Sequence, residues 1–356
     1  MLRMKEFFAL RRKAIYKYLE DFLHHRAGEL AAINPLGPVA AERLLDYSRE
    51  GKMIRGGLAG LGQGLFAGQV DEEADKLGAV MELFQSALLI HDDIMDRDLL
   101  RRGKPAMHVQ FAEDLKGENA SDAGRTGESL GICVGDISFF LGCEILSSIR
   151  VPPEVLGKLM TLCSREMAGV GLGQMQDIRA GVLPEPPSEE EVLSLYVHKT
   201  GRYTFSMPLM AGALIGGGDE KSLESLSRLG ELLGVIFQVR DDELGLFGKQ
   251  QEIGKPVGTD LNEGKQTIFY VKLLNRLNGP EKERITRLVG ASEVGPDDMR
   301  FVREKLETSG VLGEVETLLQ TYQRMAEAEI EGLAAAYGEF REILASFGEY
   351  NFSRKI

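Results

Sequence analysis

Cysteine is scarce in this chain, and its three copies, Cys133, Cys143 and Cys163, have neither Cys-x-x-Cys nor metal-ligand spacing. They therefore read as small buried apolar residues in a reducing compartment. Positive charge is also in deficit, with 42 Lys and Arg against 55 Asp and Glu and a formal net charge of −13. That balance argues against a nucleic-acid-binding protein. An anionic ligand would have to be held by local cations or metal, against the global field. No apolar run reaches membrane-spanning length without charge. The opening MLRMKEFFALRRKAIYKYLEDFL mixes both charges into its apolar pattern and lacks the clean apolar core of a signal peptide. A soluble, cytoplasmic protein is expected. No segment shows the strict apolar–polar alternation of a half-buried strand.

What the sequence does carry is helical rhythm, in a chain of 356 residues with 43% hydrophobic content, enough for a sizeable core. Phe8, Ile15, Leu19 and Phe22 mark a packing helix from about Lys5 to His25, and Asn34–Pro38 breaks it. Lys116 to Glu128 reads as a loop, followed by a helix from Ser129 to Ser148 with Asp136 among apolar neighbours. Pro152–Pro153 opens a helix that runs towards Gln174 and Asp177, read as supporting or capping residues. The proline-rich turn Leu183 to Ser188 starts another, with Ser188 as its cap. A final helix is predicted from about Leu312 to Phe347. The predicted fold is all-α, one large helical bundle over residues 1–356, with a motif-bearing core at about 50–270 and packing helices at 271–356.

The chemistry concentrates where apolar helices end in acid. Leu88-Leu89-Ile90 leads into Asp92, Asp93 and Asp96, with Arg101 and Arg102 just beyond. Residues four apart stand one above the other on a helix, so Asp92 and Asp96 share a face. Two carboxylates that close repel unless a cation lies between them. Hard oxygen ligands with room for substrate oxygens describe a magnesium site that holds phosphates, and arginines supply forked donors for a diphosphate. A second apolar run ends in Gln238, Asp241 and Asp242. Lys52 and Arg55 sit three apart at a helix start, Lys199-Thr200 precedes a mid-helix glycine, and Lys255 and Lys265 lie in a glycine-rich connector. Taken singly, these pieces read equally well as solvated helix ends, surface lysines and an ordinary kink. Their repetition favours a site at the mouth of an apolar cavity, where a leaving group is neutralised and a carbocation is kept from water.

Six ordered segments resemble the trans-isoprenyl diphosphate synthase (polyprenyl synthetase) family, nearest to its geranylgeranyl diphosphate synthase-like members. They are GKMIRGG, FQSALLIHDDIMDRDLLRRGKPAMH, VHKTGRYTF, FQVRDDELGLFG, GKPVGTD and NEGKQT, over roughly residues 50 to 270. The resemblance implies a helical bundle around a central apolar cavity and a prenyl transfer from an allylic diphosphate to isopentenyl diphosphate. It implies Mg2+, three ions with substrate bound, held by Asp92 and Asp96 with Asp93 in support on one side, and by Asp241 with Asp242 on the other. Arg101, Lys199, Lys255 and Lys265 would hold the allylic diphosphate, and Thr200 and Gln238 would face the developing cation. Lys52, Arg55, Gln85 and Arg102 would hold isopentenyl diphosphate. Released diphosphate would serve as the base, leaving His91 and His108 structural. A homodimer is implied as well.

Two departures from the family pattern stand out: Gly245 replaces a third aspartate of the second acid motif, and GKMIR replaces the commoner GGKRLR. Gln85 also stands where a histidine is frequent. Ala87 and Leu88, the family's chain-length positions, are not aromatic, so the farnesyl stop is absent; Phe84, on the Asp92 face two turns deeper, is a candidate floor, although a lone aromatic at helical spacing is more often ordinary core packing. The expected product is geranylgeranyl diphosphate or longer. A class I terpene cyclase would need an Asn/Asp–Ser/Thr–Glu triad, but Gly245 and Lys249 occupy its places. A non-catalytic partner subunit would be expected to lose acids that this chain keeps.

Overall fold

Several helix starts follow side-chain caps that the sequence supplies. In the computed structural model, which describes residues 1–49, 51–118, 120–183, 185–248, 259–291, 294–333 and 336–353, Asp71 accepts hydrogen bonds from the Glu73 and Ala74 N–H groups and starts α4 (Glu72–Met95). Asp219 does the same for α10 (Glu220–Phe247), accepting from the Ser222 N–H at 2.8 Å. Ser188 and Glu191 form a reciprocal capping box at α8 (Glu189–Leu195), as the sequence predicts. The described chain is helical nearly throughout, in agreement with the all-α expectation. The exception is a pair of two-residue strands, β1 (Leu100–Arg101) and β2 (Lys104–Pro105), too short to leave an alternating pattern.

The described residues form two compact units. One comprises residues 2–160 with 208–218. Its axis is α4, buried without interruption from Leu77 to Ala87 and mostly apolar there, with Glu82, Gln85 and Ser86 the polar exceptions. Against it pack α1 (Leu2–Ala31), α3 (Ile54–Ala67) and α6 (Ala123–Ser147). The Ser138 hydroxyl donates to the Leu83 carbonyl at 2.8 Å across the α4–α6 seam. By length and composition α6 could cross a membrane, although Asp136 and Glu144 interrupt it and its inner side packs on α4.

The other unit comprises residue 1, residues 161–207 and the described part of 219–356. Here α10 is the axis. Val235, Ile236 and Val239 pack with Phe269, Tyr270 and Leu273 of α12 (Ile268–Arg276; α11 is Thr259–Asn262) and with Val302 and Leu306 of α14 (Pro296–Thr308; α13 is Gly279–Leu288). Each such side chain, fully buried, contributes about 1.5–3 kcal/mol.

Several expectations are corrected. The predicted single helix from Leu312 to Phe347 is two, α15 (Val311–Gly332) and α16 (Gly338–Phe352), each beginning or ending at a glycine. The break lets α16 return onto α10, where Asn351 donates to the Leu233 carbonyl at 2.9 Å. The predicted loop at 116–128 is shorter, because α5 runs Met107–Gly117 and α6 starts at Ala123, with Asp122 as its cap. Cys133 and Cys143 are exposed and only Cys163 is buried. They lie on the outer side of α6, which local apolar neighbours could not reveal. Asp136, set among the same neighbours, is likewise more than half exposed.

Candidate active site

The first cluster is built where α4 emerges from the core. Asp92 and Asp96 are half-buried in its last turn, with the Asp96 N–H donating to the Asp92 carbonyl at 2.8 Å. Asp93 is fully buried instead. Arg101 donates to one of its oxygens through Nε at 2.7 Å and through Nη2, and the Tyr47 hydroxyl donates to the other at 3.3 Å. Burial pushes the Asp93 carboxyl up to about 6, with Arg101 pulling the other way, so the pair is ionised at neutral pH.

The β1–β2 hairpin delivers the two arginines. Its loop residues, Arg102 and Gly103, have φ of 54° and 79°, the left-handed pair that a two-residue hairpin requires. Glycine adopts that geometry freely, whereas Arg102 is held in it by a hydrogen bond to the Tyr47 carbonyl at 3.0 Å.

Arg102 then reaches a cavity of about 520 Å³ that is also lined by Lys52, Arg55, Glu82 and Gln85. Lys52 does not ride on the helix with Arg55, as the sequence suggested. Met53 between them is left-handed (φ 49°) and α3 begins at Ile54, so the two cations approach from either side of a turn. Gln85 is 9% exposed and its Oε1 has no hydrogen-bond partner among the described residues, whereas buried polar groups are ordinarily paired with protein or water. Glu82, which the sequence reading passed over, accepts from the Gly56 N–H at 2.9 Å and so fixes the first turn of α3. Burial pushes its carboxyl up, against the pull of that N–H, Arg55 and Arg102. An acid inside an otherwise apolar helical run was the signal available.

The chain-length residues lie deeper on α4. Ala87 is fully buried and Leu88 half-buried. The Phe84 ring packs on Gly142 of α6 and lies 5.9 Å from Phe139, whose other neighbour is His91 at 6.0 Å. His91 Nε2 also sits 3.1 Å from the Ile132 carbonyl, and His108 is buried.

The second cluster lies in the other unit. The helix expected to kink at Gly201 instead widens into a π-helix over Tyr196–Ser206, a form found at functional sites. Gly234 of α10 accounts for the close crossing, since a Cβ there would lie 2.1 Å from Gly201 Cα. The π-helix presents Lys199, paired with Asp177 of α7 (Pro153–Ala180), and Thr200, whose hydroxyl donates to Gln238 Oε1 at 3.0 Å. Gln238 donates in turn to Asp242 at 2.9 Å. Asp242 is buried and Asp241 half-buried. Lys265 pairs with Glu263. Lys255 lies outside the described residues.

A mainly helical unit whose central helix ends in paired acids beside a cation-lined cavity is of the class built to take an anionic ligand. Comparison with known proteins identifies the family within that class. The polyprenyl synthetase family pattern matches residues 40–306. The chain is 30% identical to a short chain isoprenyl diphosphate synthase of Methanothermobacter thermautotrophicus over 89% of its length and 90% of that protein. It is 31% identical to a geranylgeranyl diphosphate synthase of Sulfolobus acidocaldarius, over 71% of its length and 72% of the relative. A geranylgeranyl pyrophosphate synthase from Corynebacterium glutamicum, solved with isoprenyl diphosphate and magnesium, superposes with a TM-score of 0.90 at 28% identity. That superposition covers 97% of this chain and 99% of the other. The chain belongs to the polyprenyl synthetase family and is a prenyltransferase.

Proposed function

We propose that this prenyltransferase joins isopentenyl diphosphate to an allylic diphosphate and releases a linear all-trans product, geranylgeranyl diphosphate or somewhat longer. The observation that carries the reading is on one helix. Gln85, at the cation-lined cavity, and Asp92, in the acid pair, are seven residues apart on α4, or about 10 Å along the axis. An anion cradle and an acid pair at that spacing suit two diphosphate substrates whose reacting carbons must meet.

Lys52, Arg55, Arg102 and Gln85 hold isopentenyl diphosphate. Arg101, Lys199, Lys255 and Lys265 hold the allylic diphosphate. Arg101, Lys199 and Lys265 are now paired with Asp93, Asp177 and Glu263, so the incoming anion competes with carboxylates already in place. Asp92 and Asp96 with Asp241, supported by Asp93 and Asp242, fit as hard oxygen donors for Mg2+, three ions in the loaded state, which when bound neutralises the leaving diphosphate. The allylic C–O bond breaks and its electron pair leaves with diphosphate. Thr200 and Gln238 turn oxygen towards the cation, the isopentenyl double bond forms the new C–C bond, and a proton passes to the released diphosphate.

Phe84, backed by Phe139, closes the floor for the growing chain, since Ala87 and Leu88 are too small to do so. The two units work as a single catalytic domain in a cytoplasmic homodimer. Ile132 and Phe140, exposed on α6, support that association.

The test is to incubate purified protein with Mg2+, isopentenyl diphosphate and each allylic diphosphate, then size the dephosphorylated alcohols. A ladder ending at geranylgeraniol or beyond supports the reading, and one ending at farnesol overturns the chain length. A cyclic hydrocarbon formed without isopentenyl diphosphate would mark a cyclase. Silence with every primer would mark a non-catalytic subunit.

A further inference from the structure

We propose that Tyr196 is a positioning residue for the condensation, seating the Asp242 carboxylate that orients Gln238 and, through it, the Thr200 hydroxyl. The proposal rests on the prenyl-transfer reading above. Tyr196 opens the π-helix and is 5% exposed. Its hydroxyl accepts from the Ile268 N–H at 2.9 Å and is hydrogen-bonded to Asp242 Oδ2. Asp242 Oδ1 accepts from Gln238 Nε2 at 2.9 Å, and Gln238 Oε1 accepts from the Thr200 hydroxyl at 3.0 Å.

The direction of this relay is set at Asp242, which Tyr196 holds in place. A backbone N–H can only donate, so the Tyr196 oxygen accepts there and spends its own hydrogen on Asp242. An ionised carboxylate only accepts, so Gln238 presents its NH2 to Asp242 and its oxygen to Thr200. Thr200 must then spend its hydrogen on Gln238, and the lone pairs of its oxygen remain for the reacting carbon. A relay reversed at Gln238 would turn a hydrogen outward instead, and a developing carbocation would meet positive charge where it needs negative. The same hydroxyl anchors the first N–H of α12, just past the motif that carries Lys265. One buried phenol thus ties the π-helix, the second acid motif and the Lys265 segment to a single hydrogen-bond polarity.

Tyr196→Phe keeps the ring and removes the hydroxyl that seats Asp242 and accepts from the Ile268 N–H. Its kcat is expected to fall on the order of tenfold, the loss of one or two buried hydrogen bonds, with KM for isopentenyl diphosphate within about twofold of the unaltered protein. In a Thr200→Val background the same change is expected to cost clearly less, because the part of its effect that acts through the Thr200 hydroxyl is already gone. A purely structural role would cost the same in both backgrounds. Equal losses in the two backgrounds, or an unchanged kcat in the single variant, overturn the proposal. Should Tyr196→Phe not fold, side-chain amide exchange of Gln238 in the unaltered protein decides. Slow exchange supports a Gln238 NH2 held by Asp242, and exchange as fast as an exposed glutamine overturns it. Absence of any condensation by the unaltered protein would overturn the functional reading, and this proposal with it, whatever the amide does.

Discussion

Arginines and carboxylates face one another at the first cluster. Arg101 is matched by Asp93 and Asp98, while Arg55 and Arg102 face Glu82. Glu82 carries a cost, because its carboxyl is buried and its folded pKa lies above that of an unfolded glutamate, roughly 4.3. The folded state therefore holds the Glu82 proton more tightly than the unfolded state between those two values. Its contribution to stability falls as pH rises through that window and is constant above it. Glu82→Gln removes the titration. The gap in Tm, variant minus unaltered, is expected to widen as pH rises from the unfolded carboxylate range and then to level off. Thermal melts across pH would contradict this if the gap narrowed on the way up.

Among the elements, α4 and the π-helix do most to place the chemistry, and they differ in how far the sequence disclosed them. The acid end of α4, with Asp92 and Asp96 one turn apart, was legible because carboxylates at helical spacing after an apolar run are a local pattern. Ser188 as a cap was legible for the same reason. The π-helix was not, since its widening comes from the tight approach of Gly201 to Gly234, 33 positions along the chain. Gly234→Ala would set a Cβ against backbone that has nowhere to move. Overpacking of this kind costs about 1–3 kcal/mol, and the expected outcome is a lower Tm together with a lower kcat, read from melts and initial rates. On α4, removing the Phe84 ring opens space beside Gly142 and Phe139. Phe84→Ala is therefore expected to lengthen the product by at least one isoprene unit, and an unchanged alcohol on sizing would remove Phe84 from the chain-length role.

For the molecule as a whole, helical rhythm alone was enough to predict the all-α class, because a period of 3.6 is visible in any short window. The facts that went unread are those depending on which side of a helix meets a distant partner. Cys133, Cys143 and Asp136 face outward from α6, and Tyr196 reaches Asp242 and Ile268 across 46 and 72 positions. Family resemblance supplied roles for the residues that match its motifs, and it was silent on Glu82, Asp177 and Tyr196, which hold those residues in place.

The proposed reaction requires the Asp92 and Asp241 motifs to act on one leaving diphosphate. Calorimetric titration with a non-ionising thiolo analogue of an allylic diphosphate, with and without Mg2+, tests it directly in the unaltered protein, Asp92→Ala, Asp241→Ala and the double variant. The account predicts that either single variant abolishes the Mg2+-dependent gain in affinity and that the double variant loses no more. A single variant that binds the Mg2+-loaded analogue as tightly as the unaltered protein would contradict it.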